Sequence, residues 1–231
     1  MWMMGSRRPD PRSSVLFFVE SLTICQMITL NGTIQRKFYF PADPLTTLIY
    51  FSDLSRVTHL LPHIVVVEAY AGDKVRIRYQ TVELGAYTIN IFCDLDSVVN
   101  LDKMEITIGP LEDFEQVTQE VTLNSTTGYG HYASTAKLSP EDDGTAIDYY
   151  FHFKSELLRP RGLRMMPKRV VDRIAHSISL GRVEEIAEGF MENALDAYYD
   201  WYAEQPRDLV QQWLSTREGD LVAAERDRKT L

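Results

Sequence analysis

Apolar and polar residues alternate along much of the first two thirds of the chain, as they do in half-buried strands. The clearest case is 87–95, where the odd-numbered positions from Tyr87 to Leu95 are apolar and Thr88, Asn90 and Asp94 fall between them. Weaker forms of the pattern occupy 32–40, 64–70, 75–79, 104–108, 114–123, 129–138 and 145–155. Turn residues separate these segments, so the pattern predicts antiparallel strands joined by hairpins.

Two short helices are predicted directly after the first strand. Asp43 precedes Pro44, an arrangement that favours a helix start, and Asp53 begins a second segment with apolar residues on one face. Pro62 ends this region because proline cannot continue a helix.

A long helix is predicted in the last third of the chain. Its apolar residues form two sets, Val170 to Ile178 and Ile186 to Trp201, which point half a turn apart if each residue advances about 100°. We therefore expect a kink or break near 179–181. The apolar stripe needs a surface to cover it, and one face of a curved antiparallel sheet is the surface that the preceding strands offer.

Three segments carry a resemblance to a known family: FYFPADPLTTLIYFSDLSRVTHLLP at 38–62, LLRPRGLRMMPKRVV at 157–171 and GFMENALDAYYDWY at 189–202. Together with the predicted order of elements, they resemble the START-like, or SRPBCC, helix-grip superfamily. That superfamily includes polyketide cyclases, plant pathogenesis-related proteins and lipid-transfer domains. The resemblance implies an α+β fold in which a curved antiparallel sheet wraps around the long C-terminal helix, with a hydrophobic cavity between them.

The composition favours a single domain, because 231 residues with 45% hydrophobic content are enough for one sizeable core. We predict a helix-grip domain over 32–205, an amino-terminal extension over 1–31 and a charged tail over 206–231. Residues 15–28 resemble an interrupted signal peptide. Glu20 and Gln26 break its apolar run and no small-residue cleavage site follows, so we favour Met27 as the natural start.

The charge balance disfavours nucleic-acid binding, because 24 basic and 33 acidic residues give a net charge of -9. Cys25 and Cys93 lie outside any CxxC pair, and the five histidines have no HExxH spacing. We therefore predict no disulfide framework, metal site or cofactor. These features fit a cytoplasmic protein.

Strand parity indicates which residues line the implied cavity. The candidate ligand-binding residues are Tyr79, Glu83, Tyr87, Ile91, Cys93 and Tyr149 of the strands, together with Phe190 of the terminal helix. A desolvated carboxylate at Glu83 would have a raised pKa and would suit an acid or a base. Its place beside Gly85, at a strand end, also suits a rim position paired with Arg78 or with solvent.

A basic segment joins the last predicted strand to the terminal helix. Arg159, Arg161, Arg164, Lys168 and Arg169 follow one another without an intervening acid, with Leu163, Met165 and Met166 among them. Five charges at up to about 1 kcal/mol each near an anionic surface predict weak, salt-sensitive peripheral membrane contact. A solvated connector is the alternative, and the methionines would then cap the cavity.

Three classes of function remain open at this point. We favour binding or carrying of a hydrophobic small molecule or lipid, because no nucleophile, base and orienting group can be identified together. A polyketide cyclase or dehydratase would need Glu83, or Tyr87 and Tyr149, to converge inside the cavity. A noncatalytic protein-interaction domain would instead have a filled cavity and an exposed apolar patch.

Overall fold

The computed structural model describes residues 27–111, 114–115 and 117–217. Within these ranges the strands are β1 (Met27–Phe40), β2 (Ile64–Tyr70), β3 (Lys74–Glu83), β4 (Tyr87–Asn100), β5 (Glu105–Pro110), β6 (Glu120–Val121), β7 (Ser125–Glu141) and β8 (Gly144–Leu158). The α-helices are α1 (Pro44–Ser52), α2 (Leu54–Leu60) and α3 (Lys168–Ala203), with a 3₁₀ turn at Arg161–Leu163 before α3. Residues 209–217 are also helical.

One sheet contains all of these strands, in the order β1-β8-β7-β5-β4-β3-β2, with the short β6 paired to β7. Neighbours in this order are antiparallel, and β4 also pairs in parallel with the first part of β7 over 88–92. α3 packs across the sheet against β1. The predicted α+β helix-grip architecture is therefore confirmed, including the two short helices after the first strand.

β1 starts before the predicted domain boundary at Gly32. It pairs with β8 from Met27 onward, and Ile28 and Leu30 are buried in the core. Residues 27–31 of the predicted extension thus belong to the sheet, because the alternation of buried positions runs through Gly32 without interruption. The rest of that extension, 1–26, lies outside the described residues.

Both short helices begin at the predicted aspartates. Asp43 Oδ1 accepts hydrogen bonds from the backbone N–H groups of Leu45 and Thr46, each at 3.1 Å. Asp53 Oδ1 accepts from the backbone N–H of Arg56 at 3.0 Å. These bonds satisfy amide groups that have no partner inside a helix.

An aromatic cluster anchors α1 to α3. Tyr50 is fully buried, and its hydroxyl donates to the Ala194 carbonyl at 3.0 Å. Its ring centroid lies 5.5 Å from that of Phe40, 5.4 Å from that of Tyr198 and 4.9 Å from that of Trp201. These spacings are typical of favourable aromatic pairs, so the cluster joins β1, α1 and the end of α3.

α3 is continuous from Lys168 to Ala203, so of the predicted kink or break near 179–181 the break is wrong. Its buried row consists mostly of small residues: Val171, Ala175, Ser179, Val183, Ala187, Met191, Ala194 and Tyr198. A second row runs beside it at a constant spacing of four: Ile174, Ile178, Arg182, Ile186 and Phe190. A row with a spacing of four advances about 40° around the helix at each step when each residue advances about 100°, and this accumulated drift produces the apparent change of phase.

The small residues let α3 approach β1 closely. A Cβ atom at Gly32 would lie only 2.5 Å from Cγ2 of Val183. Glycine is therefore required at this strand position by the passing helix, and the backbone conformation there is that of an ordinary strand.

Part of the predicted charged tail folds back onto the domain. Residues 209–217 are helical, and Trp213 packs against the core. The Arg217 guanidinium lies 4.8 Å from the Trp213 ring centroid and 3.6 Å from the Asp73 carboxylate in the β2–β3 turn. Residues 218–231 lie outside the described ranges.

The substitution Gly32→Ala should lower the free energy of unfolding by about 1–3 kcal/mol, because the added methyl group overlaps the stiff side chain of Val183. Denaturant unfolding measures this loss. Gly109→Ala is the matched control, since no atom lies within 4 Å of the Cβ position at Gly109 of β5. In the Val183→Ala background the cost of Gly32→Ala should shrink, and equal costs in both backgrounds would contradict the close approach.

Candidate functional site

Four adjoining voids lie between the concave face of the sheet and α3. The α1 void, of about 40 Å³, is lined by residues that include Phe38, Phe51, Ile106, Ser134, Tyr149 and Phe190, and the bridging void, of about 20 Å³, by Ile34, Leu61, Tyr132, Tyr149 and Phe190. The central void, of about 70 Å³, is lined by residues that include Ile77, Tyr79, Ile91, Cys93, Ile178 and Arg182. The end void, of about 40 Å³, is lined by residues that include Glu83, Leu84, Tyr87, Pro160, Leu163 and Ile174.

The voids share wall residues, so they form a row of neighbouring spaces, which we call the tract. Tyr149 lines both the α1 and the bridging voids, Phe151 lines both the bridging and the central voids, and Ile178 lines both the central and the end voids. Each void is far smaller than the roughly 300–1,000 Å³ of a typical drug-sized site. A molecule of that size therefore requires the partitions between voids, such as Phe151 and Ile186, to move.

All seven candidate residues line this tract, but they line different parts of it. Tyr79, Ile91 and Cys93 line the central void; Tyr149 and Phe190 line the α1 and bridging voids; Glu83 and Tyr87 line the end void. Tyr149 thus shares no described void with Glu83 or Tyr87. Among the described residues, Tyr149 therefore does not converge with Glu83 or Tyr87 in one void, as a cyclase or dehydratase would require.

Two tyrosine hydroxyls lie in the middle of the tract. The Oη atoms of Tyr132 and Tyr149 are 2.9 Å apart, within hydrogen-bonding distance. Burial raises the pKa of Tyr132 and raises that of Tyr149 well above its ordinary value, and the nearby Ser134 hydroxyl opposes part of each change. Both phenols are neutral at pH 7. They can exchange hydrogen bonds with a ligand oxygen, but neither provides a base.

Glu83 forms an ion pair with α3. Arg182 Nε donates to Glu83 Oε1 at 2.8 Å, and the Thr81 hydroxyl donates to the same oxygen at 2.9 Å. The Glu83 side chain is 10% exposed and that of Arg182 is 29% exposed. The partner of the Glu83 carboxylate is therefore Arg182 of α3. The alternative from the sequence, a rim position paired with Arg78 or with solvent, is not what the structure has.

The Arg182 guanidinium extends this pair into a network beside the central void. It also donates to Glu185, whose other carboxylate oxygen lies 2.8 Å from Nε2 of His63. The hydrogen bond from His63, supported by Arg182, lowers the pKa of Glu185. The network ties β3, α3 and the turn after α2 together.

The other ionisable candidates of the central void are not poised for chemistry at neutral pH. Burial raises the pKa of the Cys93 thiol to about 12 and the pKa of Tyr79 to about 12. A thiol that stays protonated is neither a nucleophile nor a metal ligand. Within the described ranges, no group of three or more His, Cys, Asp and Glu side chains is arranged to hold a metal ion.

The basic segment separates into buried and exposed members. Arg159 is only 5% exposed, and its guanidinium donates to the carbonyl oxygens of Leu163, Arg164 and Met166. The prediction that Arg159 faces a membrane is therefore wrong, because its buried guanidinium binds the carbonyl groups of the segment that follows. Lys168 is paired with Asp172 at 2.7 Å on the first turns of α3.

Sequence reasoning missed several residues of the tract, among them Tyr132, Ser134 and Arg182. Tyr132 and Ser134 lie on the inward face of β7, and the parity argument applied to 129–138 would have found them. Arg182 is four residues from both Ile178 and Ile186, and a charged residue at that spacing in an apolar row was the available signal.

The described residues form an eight-stranded sheet whose concave face packs against one long helix, and two short helices follow the first strand. The chain has a helix-grip fold. No protein-family model and no curated protein matches its sequence. Of the described helices, none combines the length and the hydropathy needed to cross a bilayer.

Solved structures similar to this chain have low sequence identity. A protein of Thermus thermophilus is 18% identical, with a TM-score of 0.39 over 72% of this chain and 99% of its own. An aromatase/cyclase from a Streptomyces species is 11% identical, with a TM-score of 0.39 over 72% of this chain and 90% of its own. A norcoclaurine synthase of Thalictrum flavum is 12% identical, with a TM-score of 0.38 over 74% of this chain and 98% of its own.

The substitution Arg182→Leu should lower the free energy of unfolding by about 3 kcal/mol, the lower end of the range for breaking a buried pair, because it leaves Glu83 without its cation. Arg173→Leu on the exposed side of the same helix is the matched control and should change the stability little. Adding Glu83→Gln to Arg182→Leu should recover part of the loss. Additive effects in a double-mutant cycle would show that the pair does not contribute.

Proposed function

We propose that the protein binds and carries a hydrophobic small molecule or lipid in the tract between the sheet and α3. The observation that carries the proposal is the row of four adjoining voids, whose walls are mostly apolar, with the hydroxyl pair of Tyr132 and Tyr149 among their few polar groups. Apolar walls with a few convergent polar groups are typical of small-molecule sites.

The walls also indicate the chemistry of the ligand. Most of its surface must be hydrocarbon, because a polar group facing the apolar parts of the tract would lose its hydrogen bonds to water without replacement. One oxygen function of the ligand is accommodated at the hydrogen-bonded hydroxyl pair of Tyr132 and Tyr149. We therefore propose an elongated apolar molecule with a single carbonyl or hydroxyl group that reaches these two tyrosines.

A noncatalytic protein-interaction domain is the second candidate. It is favoured by the small size of the voids and by apolar side chains such as Met165 on the surface. The cyclase alternative has less support, because Glu83 is engaged by Arg182 and lies in a different void from Tyr149. Saturable uptake of an apolar probe separates the carrier from the interaction domain.

Peripheral contact with an anionic membrane is a further part of the proposal. It rests on Arg161, Arg164 and Arg169, which are exposed and take part in no ion pair among the described residues. Arg159 and Lys168 are left out because their charges are already engaged within the fold.

The neutral dye Nile red should bind the folded protein saturably, be displaced by oleic acid and bind with a negative change in heat capacity from apolar burial. Ile91→Trp should abolish this binding, because the indole fills the central void, with an overpacking cost of about 1–3 kcal/mol. Fluorescence titration measures the binding, and circular dichroism checks the fold. Phe92→Trp is the matched control, since the next residue of β4 faces away from the tract.

The absence of saturable binding by the parent protein would favour the interaction domain. Binding that survives in the folded Ile91→Trp protein would instead place the site outside the central void.

The substitution Tyr149→Phe should weaken binding of a long-chain ketone about three- to tenfold, the value of one ordinary hydrogen bond of about 0.5–1.5 kcal/mol. Binding of the matched alkane should change little, because the ring that fills the space is retained. Competition against Nile red measures both affinities. Equal losses for ketone and alkane would show that Tyr149 acts through packing and does not contact the oxygen.

A further inference from the structure

Three exposed apolar side chains lie on segments that meet at one end of the molecule. Leu84 in the β3–β4 turn is 58% exposed, Leu123 between β6 and β7 is 68% exposed, and Met165 between the 3₁₀ turn and α3 is 94% exposed. We refer to these three side chains as the apolar tips. Single exposed apolar residues are ordinary, but three from separate segments at one place form a patch.

Hydrogen bonds hold the three segments together. The Gly162 N–H donates to the Leu123 carbonyl at 2.8 Å, and the Thr88 N–H donates to the Asn124 carbonyl at 2.9 Å. A Cβ atom at Gly162 would lie 3.0 Å from the Tyr87 hydroxyl, so the start of β4 touches the 3₁₀ turn. The tips are therefore presented by a connected surface and not by three independent loops.

Positive charge surrounds the apolar tips. Arg161, Arg164 and Arg169 are exposed on the segment that carries Met165, whereas Asp172 is paired with Lys168 and Glu83 with Arg182, which leaves Glu120 as an exposed carboxylate near Leu123. The whole chain has a net charge of -9, so this basic surface is a local exception. Apolar side chains among arginines complement the headgroup and acyl regions of an anionic bilayer.

The end void lies directly beneath this surface. Leu84 belongs to its wall, together with Tyr87, Pro160 and Leu163, and Ile178 is a wall residue that it shares with the central void. The patch thus covers one end of the apolar tract.

We propose that this end of the protein docks on an anionic lipid bilayer and that the ligand enters and leaves the tract there. The apolar tips enter the bilayer, and Arg161, Arg164 and Arg169 contact lipid headgroups. The inference rests on the proposed function for its ligand, but the docking is a separate property of the surface.

Co-sedimentation of the full chain with phosphatidylcholine vesicles, with and without phosphatidylserine, tests the docking. Binding should require phosphatidylserine and weaken with salt. Each of Arg161→Gln, Arg164→Gln and Arg169→Gln should lower the partition coefficient about fivefold. Lys103→Gln, at the β4–β5 turn far from the patch, is the matched control and should have no effect.

The pair Leu123→Glu and Met165→Glu tests the apolar tips and should lower the partition about tenfold or more. Val98→Glu is the matched control, because Val98 is 60% exposed near the other end of β4. Circular dichroism verifies the fold of each variant, and Met165→Ser replaces the pair if it does not fold. Transfer of Nile red from protein to vesicles should accelerate with phosphatidylserine for the parent and not for the tip variant.

Failure of the parent to bind anionic vesicles overturns the inference, even if Nile red binds in solution and the proposed function stands. Equal binding to neutral vesicles, or equal losses in the tip variant and in Val98→Glu, also overturns it. Vesicle binding without any uptake of Nile red would reject the carrier function and the exchange route while supporting the docking surface.

Discussion

The close approach of α3 to β1 is the constraint on which the rest of the structure depends. Val183 occupies the space that a side chain at Gly32 would need, and the neighbouring residues of the same helical row are mostly small. The helix therefore rests on one side of the sheet. The larger side chains of the adjacent row, such as Ile186 and Phe190, extend over the remaining concave surface, and the voids lie where they do not fill it.

Three polar groups of the tract have hydrogen-bond partners within the protein itself. Tyr132 and Tyr149 bond to each other, and Glu83 is engaged by Arg182 and Thr81. In the proposed function, departure of the ligand leaves these groups hydrogen-bonded to each other, which suits reversible binding.

The strands and their inward faces could be predicted from the sequence because side chains alternate strictly along a strand. Ile91 and Tyr149 were assigned to the interior in this way. The helix was harder, since its buried row contains small residues that a hydrophobic pattern does not emphasise, and Arg182 disguised the neighbouring row. Parity also could not reveal that Glu83 would meet a residue 99 positions later in the chain, because such a pairing depends on how the helix crosses the sheet.

Arg159 gives the connection before α3 an unusual construction. Its guanidinium is held by the carbonyl oxygens of Leu163, Arg164 and Met166, much as a metal cation is held by a loop of carbonyl ligands. The cation here is covalently part of the chain, so it cannot be removed by a chelator or exchanged for another ion. The turn that presents Met165 is thereby kept in one shape, whatever the ionic composition of its surroundings.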